Sequence, residues 1–509
     1  MGEVSGRLRS RWCRSMIAVL AAGCVVLPLA TVVYPPISDL PQHLLQIRLA
    51  QETLTGVDGT YRIQWLAPYG MAYLPLALGW LVAEPVAAGR MGVACLLALW
   101  VLALHRLASV RQRPVASALL ASALATGFSL YWGFLPFLGG FPWFLWWLHR
   151  TARSESEPER TVNAREIAVL AALATALYLT HAHWFAMAGL WLAFSGLRAR
   201  MPVRLQLLRG LALIPGALLG VSWLGVVRVM GLDSTLRWVS NPLQRWAPGE
   251  LVASIVGGPR GLGRELLLAF LLAWLGLGLF AWFRRRSEPR AEAAIDRRLL
   301  WAGLLMIAVA SFSPEYYLSL WSAKRWWAPG VALIVLGGPV PWGQGGSHRA
   351  SLAWGVVAAS VLALWTTLAV VTWRRFERNE LAGLSESLAA LPQRSRILGL
   401  DYVGRSRIFE GRPFMHDFAY GQALKGGSSN FSFASFPASP VIVRQVQPQP
   451  WTMGLEWFPG RVRQSDFQYF DYVLVNASLA RLEEFPRRAP LEPVTQTAPW
   501  RLYRVVAER

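Results

Sequence analysis

Apolar stretches of helix-in-lipid length recur along the first 373 residues, and they exclude any fold that hides its hydrophobic residues in one water-surrounded core. They run 16–33, 65–83, 89–104, 115–131, 134–148, 164–180, 184–197, 205–227, 265–283, 299–313, 326–340 and 352–373. A helix needs about 20 apolar residues to cross a bilayer vertically. Charged residues are 16% of the chain, against about 25% in soluble domains, and this deficit puts the chain in the membrane class. The net charge of +21 invites a nucleic-acid partner. Its placement argues otherwise, because the basic residues sit in short connectors between apolar runs, where the positive-inside rule puts them. Lys occurs only at 324 and 425, so Arg carries nearly all of this charge. Cys13, Cys24 and Cys95 lie in or beside the first apolar runs and have neither disulfide nor zinc spacing.

The basic connectors 105–113, 149–165, 198–209 and 284–298 alternate with the Arg-poor connectors 132–133, 181–183, 230–263 and 314–323. With the basic set in the cytoplasm, the other set and the C-terminal region face outward. The alternation holds if 65–104 makes one net crossing, so 65–83, with Pro68 and Pro75, reads as a re-entrant or interfacial piece covered by protein or water. Arg7, Arg9, Arg11 and Arg14 precede the first run, which reads as an uncleaved span with a cytoplasmic N-terminus. Ala21-Ala22-Gly23-Cys24 is a weak lipoprotein-type alternative. The expected fold is mainly α: a polytopic transmembrane helix bundle of about eleven crossings over 1–373, then a small extracytoplasmic α/β domain over 374–509. In that domain 377–391 has helical periodicity, while 396–400, 469–475 and 500–506 read as strands. In the long outer connector 230–263, Trp238, Trp246, Leu251 and Ile255 mix with Arg237, Arg245 and Glu250, which suits a segment lying on the membrane surface.

The stretch with most chemistry is Tyr34-Pro-Pro-Ile-Ser-Asp39-Leu-Pro-Gln-His43, just beyond the first span. Asp39 and His43 are four apart and share one face of any helix starting there. An acid and an imidazole so placed could take a proton from a hydroxyl or hold a divalent cation, though nothing in the sequence requires that cofactor. The structural alternative is an N-cap at Asp39, with Pro41 in the first turn and Gln42 at the capping-box position. Lys324 and Arg325 sit at the outer end of a span, against the charge trend. They either hold a phosphate or snorkel beside Trp326 and Trp327. Arg237 and Arg245 are weaker phosphate candidates, since surface segments use Arg for lipid headgroups. His181 and His183, in a tight outer turn, could meet a metal or a sugar hydroxyl or be merely interfacial. His416, with Asp417, either lines the mouth of a site or makes a loop hydrogen bond. Glu315 reads as a local ion-pair partner of Lys324.

One span, an acidic residue in the first outer loop, then a proline-interrupted apolar segment: this order resembles the GT-C superfamily of integral membrane glycosyltransferases. Phe414-Met-His-Asp-Phe-Ala-Tyr420, Lys425-Gly-Gly and Phe470-Asp-Tyr-Val-Leu-Val475 are similar to the tail of bacterial proteins in that group. The resemblance covers the whole chain in architecture and about ten residues in motif. It implies a bacterial inner-membrane enzyme that moves a sugar from a polyprenyl-phosphate donor to an outward glycan, lipid or protein acceptor, with Asp39 as general base. Many members carry a paired acid in that loop; here Asp39 stands alone with His43 nearby, and no Asp-x-Asp motif follows. Two other functions fit a polytopic chain: a transporter or flippase, and a non-catalytic envelope scaffold. Scarce intramembrane charge and the lack of an inverted repeat argue against transport.

Overall fold

The computed structural model describes residues 2–156, 163–231, 235–284, 295–317, 320–342, 348–485 and 491–506. They pack as two units: Met1–Pro28, Ala94–Leu130 and Leu135–Ala369 form the first, and Leu29–Val93, Tyr131–Phe134 and Val370–Arg509 the second. Among the described residues six helices are long and apolar enough to cross a membrane: Trp12–Thr31, Pro85–Val110, Val115–Trp132, Val203–Val229, Leu262–Arg284 and Arg349–Glu380. Leu218, Val221, Leu266 and Phe280 on these helices stay exposed. Such apolar surface suits lipid, not water.

In the first unit the basic connectors meet one another. Arg111 grips Asp296 through two bonds of 2.6 and 3.0 Å. Arg298 reaches the Leu148 carbonyl, Thr151 and Glu155. Arg209 pairs with the same Glu155, and Arg150 pairs with Glu166. Arg113 donates to the carbonyls of Leu336 and Gly338, at the C-terminus of the helix Trp327–Gly337, where a cation complements the helix dipole. The Arg-poor connectors likewise bond to each other: Arg237 N–H to Tyr316, Lys324 to Glu250, and Arg325 to His181. This sorting is what the alternation of charge along the sequence predicts.

Two of the apolar runs form only short helices, the expected span 326–340 and the expected non-crossing piece 65–83. The run 326–340 becomes an 11-residue helix, Trp327–Gly337, after a 3₁₀ turn at Ala323–Trp326. At 1.5 Å per residue it is too short to cross the hydrocarbon core alone. Most of its residues are buried in protein, so its irregular ends need not face lipid. It packs on Arg297–Phe312 through Gly303 and Gly330; a Cβ on Gly303 would lie 2.7 Å from the Gly330 carbonyl oxygen, so only glycine permits this approach. The run 65–83 holds a 3₁₀ turn and the seven-residue helix Leu74–Trp80, with Trp65, Leu78, Leu81 and Val82 exposed. As expected for this run, it holds no helix long enough to cross a membrane.

The second unit is built on a five-stranded sheet in the order Ser428–Ser429, Arg396–Asp401, Tyr472–Asn476, Trp500–Val505, Leu491–Pro493. The first three strands are mutually parallel and the last two run antiparallel to their neighbours. Leu398, Leu400, Val473 and Val475 face a core with Phe467, Phe470, Leu482 and Phe485. The helix at the boundary runs unbroken over His348–Glu380, across the composition change at 373/374, and Leu384–Ala390 follows it. The unit also draws in the first outer loop, which composition separates from 374–509. Leu40–Leu54 packs on Ala419–Lys425, and Tyr61–Ile63 pairs antiparallel with Val441–Val443. The strand Val441–Val443 thus finds its backbone partners more than 370 positions earlier.

Asp401, at the end of its strand, accepts from the N–H groups of Val403 and Gly404 and from Asn476 Nδ2. Burial still pushes its carboxyl up to about 6. An unfolded Asp titrates near 3.9, so between these values the folded chain holds a proton the unfolded chain has lost. This contribution to stability is present below pH ~4 and is lost as pH rises through about 6. Asp417, pushed well upward by burial, acts in the same direction. Asp401→Asn is therefore expected to flatten the fall in melting temperature between pH 4.5 and 7, measured on the full chain in nanodiscs. An unchanged slope would mean that Asp401 is ionised throughout.

Candidate active site

Asp39 precedes the helix Leu40–Leu54, but its side chain makes no capping bond. The reason is local. A capping side chain bonds the N–H at the second or third helical position. The second is Pro41, which has no N–H, and Asp39 has helical backbone angles (φ −95°, ψ −2°) rather than the extended ones of a capping residue. Gln42 is not a capping-box partner either: its Nε2 donates to the Phe431 carbonyl and its Oε1 accepts from the Phe433 N–H. The Asp39 carboxylate turns instead to His416, whose Nδ1 lies 2.9 Å from Oδ1. A carboxylate oxygen only accepts, so His416 carries its proton on Nδ1. Asp39 Oδ2 makes no protein hydrogen bond among the described residues, and the side chain keeps 11% of its surface accessible.

His416 is buried, its ring stacked on Phe431 at 5.1 Å and 5° and met edge-on by Phe433. Its Nε2 has no hydrogen-bond partner among the described residues. His43 has a different part. Its Nε2 lies 2.8 Å from the Gly133 carbonyl and its Nδ1 2.6 Å from the Tyr73 hydroxyl. The carbonyl needs a donor, so Nε2 bears the hydrogen and Tyr73 donates to Nδ1. Burial lowers the His43 pKa, which keeps the ring neutral. With both nitrogens engaged, His43 ties the turn Tyr131–Phe134 and the segment 70–73 to the helix that carries Asp39. Gly133, at φ +81°, lies against Asp39; a Cβ there would sit 2.7 Å from the Asp39 N and Cβ. Ser38 completes the clamp by donating its N–H and hydroxyl to the Tyr131 carbonyl.

The other predicted residues lie in the first unit. Arg325 is buried, with Nη1 3.0 Å from His181 Nε2 and its guanidinium over the Phe137 ring. The His181 and His183 rings are 4.8 Å apart, so these three residues do gather. Lys324 pairs with Glu250 in an exposed ion pair, an arrangement worth little. Arg245 is buried rather than turned to lipid headgroups. It donates to the Ala310 and Ser313 carbonyls and lies beside Glu315. Glu315 also accepts from the Ser240 N–H and hydroxyl, so its partners are Arg245 and Ser240 rather than Lys324. Arg237 is exposed and lies over Tyr316. Among the described residues no group of three or more His, Cys, Asp or Glu is arranged to hold a metal ion. Sequence reasoning missed Tyr73, Gly133, Phe431 and Phe433. The sequence signals for them were slight: one of two Tyr in an apolar run, a Gly in a two-residue connector, and two Phe two apart in a Gly/Ser-rich loop.

No family model and no curated protein matches the sequence. Solved structures do match in fold. The crystal structure of ArnT from Cupriavidus metallidurans in the apo state aligns with a TM-score of 0.57 at 12% identity, over 98% of this chain and 99% of that one. ArnT from the same organism bound to undecaprenyl phosphate gives 0.54 at 12% identity over the same shares. The arabinofuranosyltransferase AftD from Mycobacteria gives 0.49 at 17% identity; 97% of this chain matches it, but this chain spans only 40% of AftD.

Proposed function

Taking the chain as an integral membrane protein of the GT-C fold, we propose that it is a glycosyltransferase using a polyprenyl-phosphate sugar, with Asp39 as general base. The observation that carries this is the Asp39 carboxylate, which has no capping role, is anchored at Oδ1 by His416 and keeps Oδ2 free. The match to ArnT carrying undecaprenyl phosphate supports a lipid-linked donor. In the reaction an acceptor hydroxyl attacks the anomeric carbon and Oδ2 takes its proton. The new C–O bond forms as the bond from that carbon to the phosphate oxygen breaks, and the electron pair leaves with the polyprenyl phosphate. A positioned carboxylate base contributes roughly 10²–10⁴-fold to such a step. The acceptor is a glycan, lipid or protein at the outer face of a bacterial inner membrane, with the N-terminus cytoplasmic and the C-terminal region outside.

The test uses the full chain in nanodiscs with undecaprenyl-phosphate-linked sugars and an envelope extract as acceptor. Release of undecaprenyl phosphate together with labelled sugar in the acceptor fraction supports the reading. Intact donor that only changes leaflet in reconstituted vesicles would replace it with a flippase. Intact donor that stays where it was placed would leave a scaffold.

A further inference from the structure

Asp39 flanks the helix that carries Gln42 three residues on, and each reaches a distant loop of the same unit. Asp39 takes His416, 377 positions along the chain. Gln42 holds the backbone on either side of Ser432, through the Phe431 carbonyl and the Phe433 N–H. Phe431 and Phe433 in turn fix the His416 ring, one by stacking and one by its edge. The contacts therefore close a ring: helix to Gln42, Gln42 to the two phenylalanines, these to His416, and His416 back to Asp39. Apart from His416 the carboxylate has no hydrogen-bond donor among the described residues, and Pro41 removes one of the two N–H groups a cap would use.

We infer that His416 is a positioning residue for Asp39. Its Nδ1–H holds Oδ1 and so turns Oδ2 toward the incoming hydroxyl. This rests on the glycosyl-transfer reading. His416 keeps its Nδ1 proton while Oδ2 gains the hydroxyl proton, so the imidazole acts by geometry. The charged or titratable groups facing it are Asp39, His43 and Glu456. The C-terminal region is on this account a part of the active site rather than an appended acceptor domain.

The test compares His416→Phe, which keeps the stacked ring but has no N–H, with His416→Asn, whose amide can donate from near the Nδ1 position. Both are assayed in the full chain in nanodiscs with undecaprenyl-phosphate-linked sugar. His416→Phe is expected to lower kcat ~10²-fold, the scale of a small misplacement of a reacting group. Its KM for donor should stay within about three-fold, since the group lost acts on the chemical step. His416→Asn should recover most of the loss. The inference is overturned if His416→Phe keeps at least half of kcat, or if the Asn and Phe variants are equally impaired. If the wild-type chain transfers nothing, the glycosyl-transfer reading fails by itself, and the link is read from melting temperatures of Asp39→Ala, His416→Phe and the double variant. Non-additive shifts keep the Asp39–His416 link, and additive shifts remove it.

Discussion

Asp39→Asn lowers kcat for sugar transfer by roughly 10²–10⁴-fold and leaves the melting temperature close to that of the wild type. The amide oxygen still accepts from His416 Nδ1, so the ring of contacts through Phe431 and Gln42 survives. What disappears is an oxygen able to keep a proton. Donor KM should change little, because the base acts on the acceptor hydroxyl in the transition state. The measurement is steady-state transfer from undecaprenyl-phosphate-linked sugar, beside a melt of each preparation. Transfer within a few-fold of wild type would mean that the base is elsewhere. A loss accompanied by a large drop in melting temperature would recast Asp39 as structural.

Gly133→Ala is expected to cost both activity and stability. At φ +81° an alanine is strained by about 1–2 kcal/mol. The added Cβ would also press to 2.7 Å from backbone and side-chain atoms of Asp39, and these must move. Because His43 bonds the carbonyl of the same glycine, the shift passes to the helix that carries both residues. A displacement of about 1 Å at the base is enough for ~10²-fold in kcat. Thermal melting and transfer kinetics check the two effects separately. A variant with wild-type activity would show that the turn can relax away from Asp39.

The long apolar helices were legible because lipid imposes a one-dimensional code, apolar length for helices and Arg in one set of connectors. That code led to the sorting of Arg111, Arg298 and Arg209 with Asp296 and Glu155. It also let 65–83 be read as a non-crossing piece. Strands were legible at Arg396–Asp401, Tyr472–Asn476 and Trp500–Val505, where β-branched and aromatic residues cluster. The code says nothing about a short helix sheathed in protein, so the run 326–340 was read as a span and is the short helix Trp327–Gly337.

At the site, the sequence alone placed Asp39 and His43 four apart at the start of one helix. It could not determine what each faces. The same four-residue spacing that suggested an acid–imidazole pair leaves His43 bound to Tyr73 and Gly133, and gives Asp39 an imidazole from the far end of the chain. Local rules favoured a cap, and none forms: Pro41 removes one of the two N–H groups a cap would use, and Asp39 has helical rather than extended backbone angles. Only the tertiary structure decided the partner of that carboxylate. A hydrogen bond across 377 residues leaves no periodicity to read, and its donor is chosen by the packing of Phe431, Phe433 and Gln42 around it.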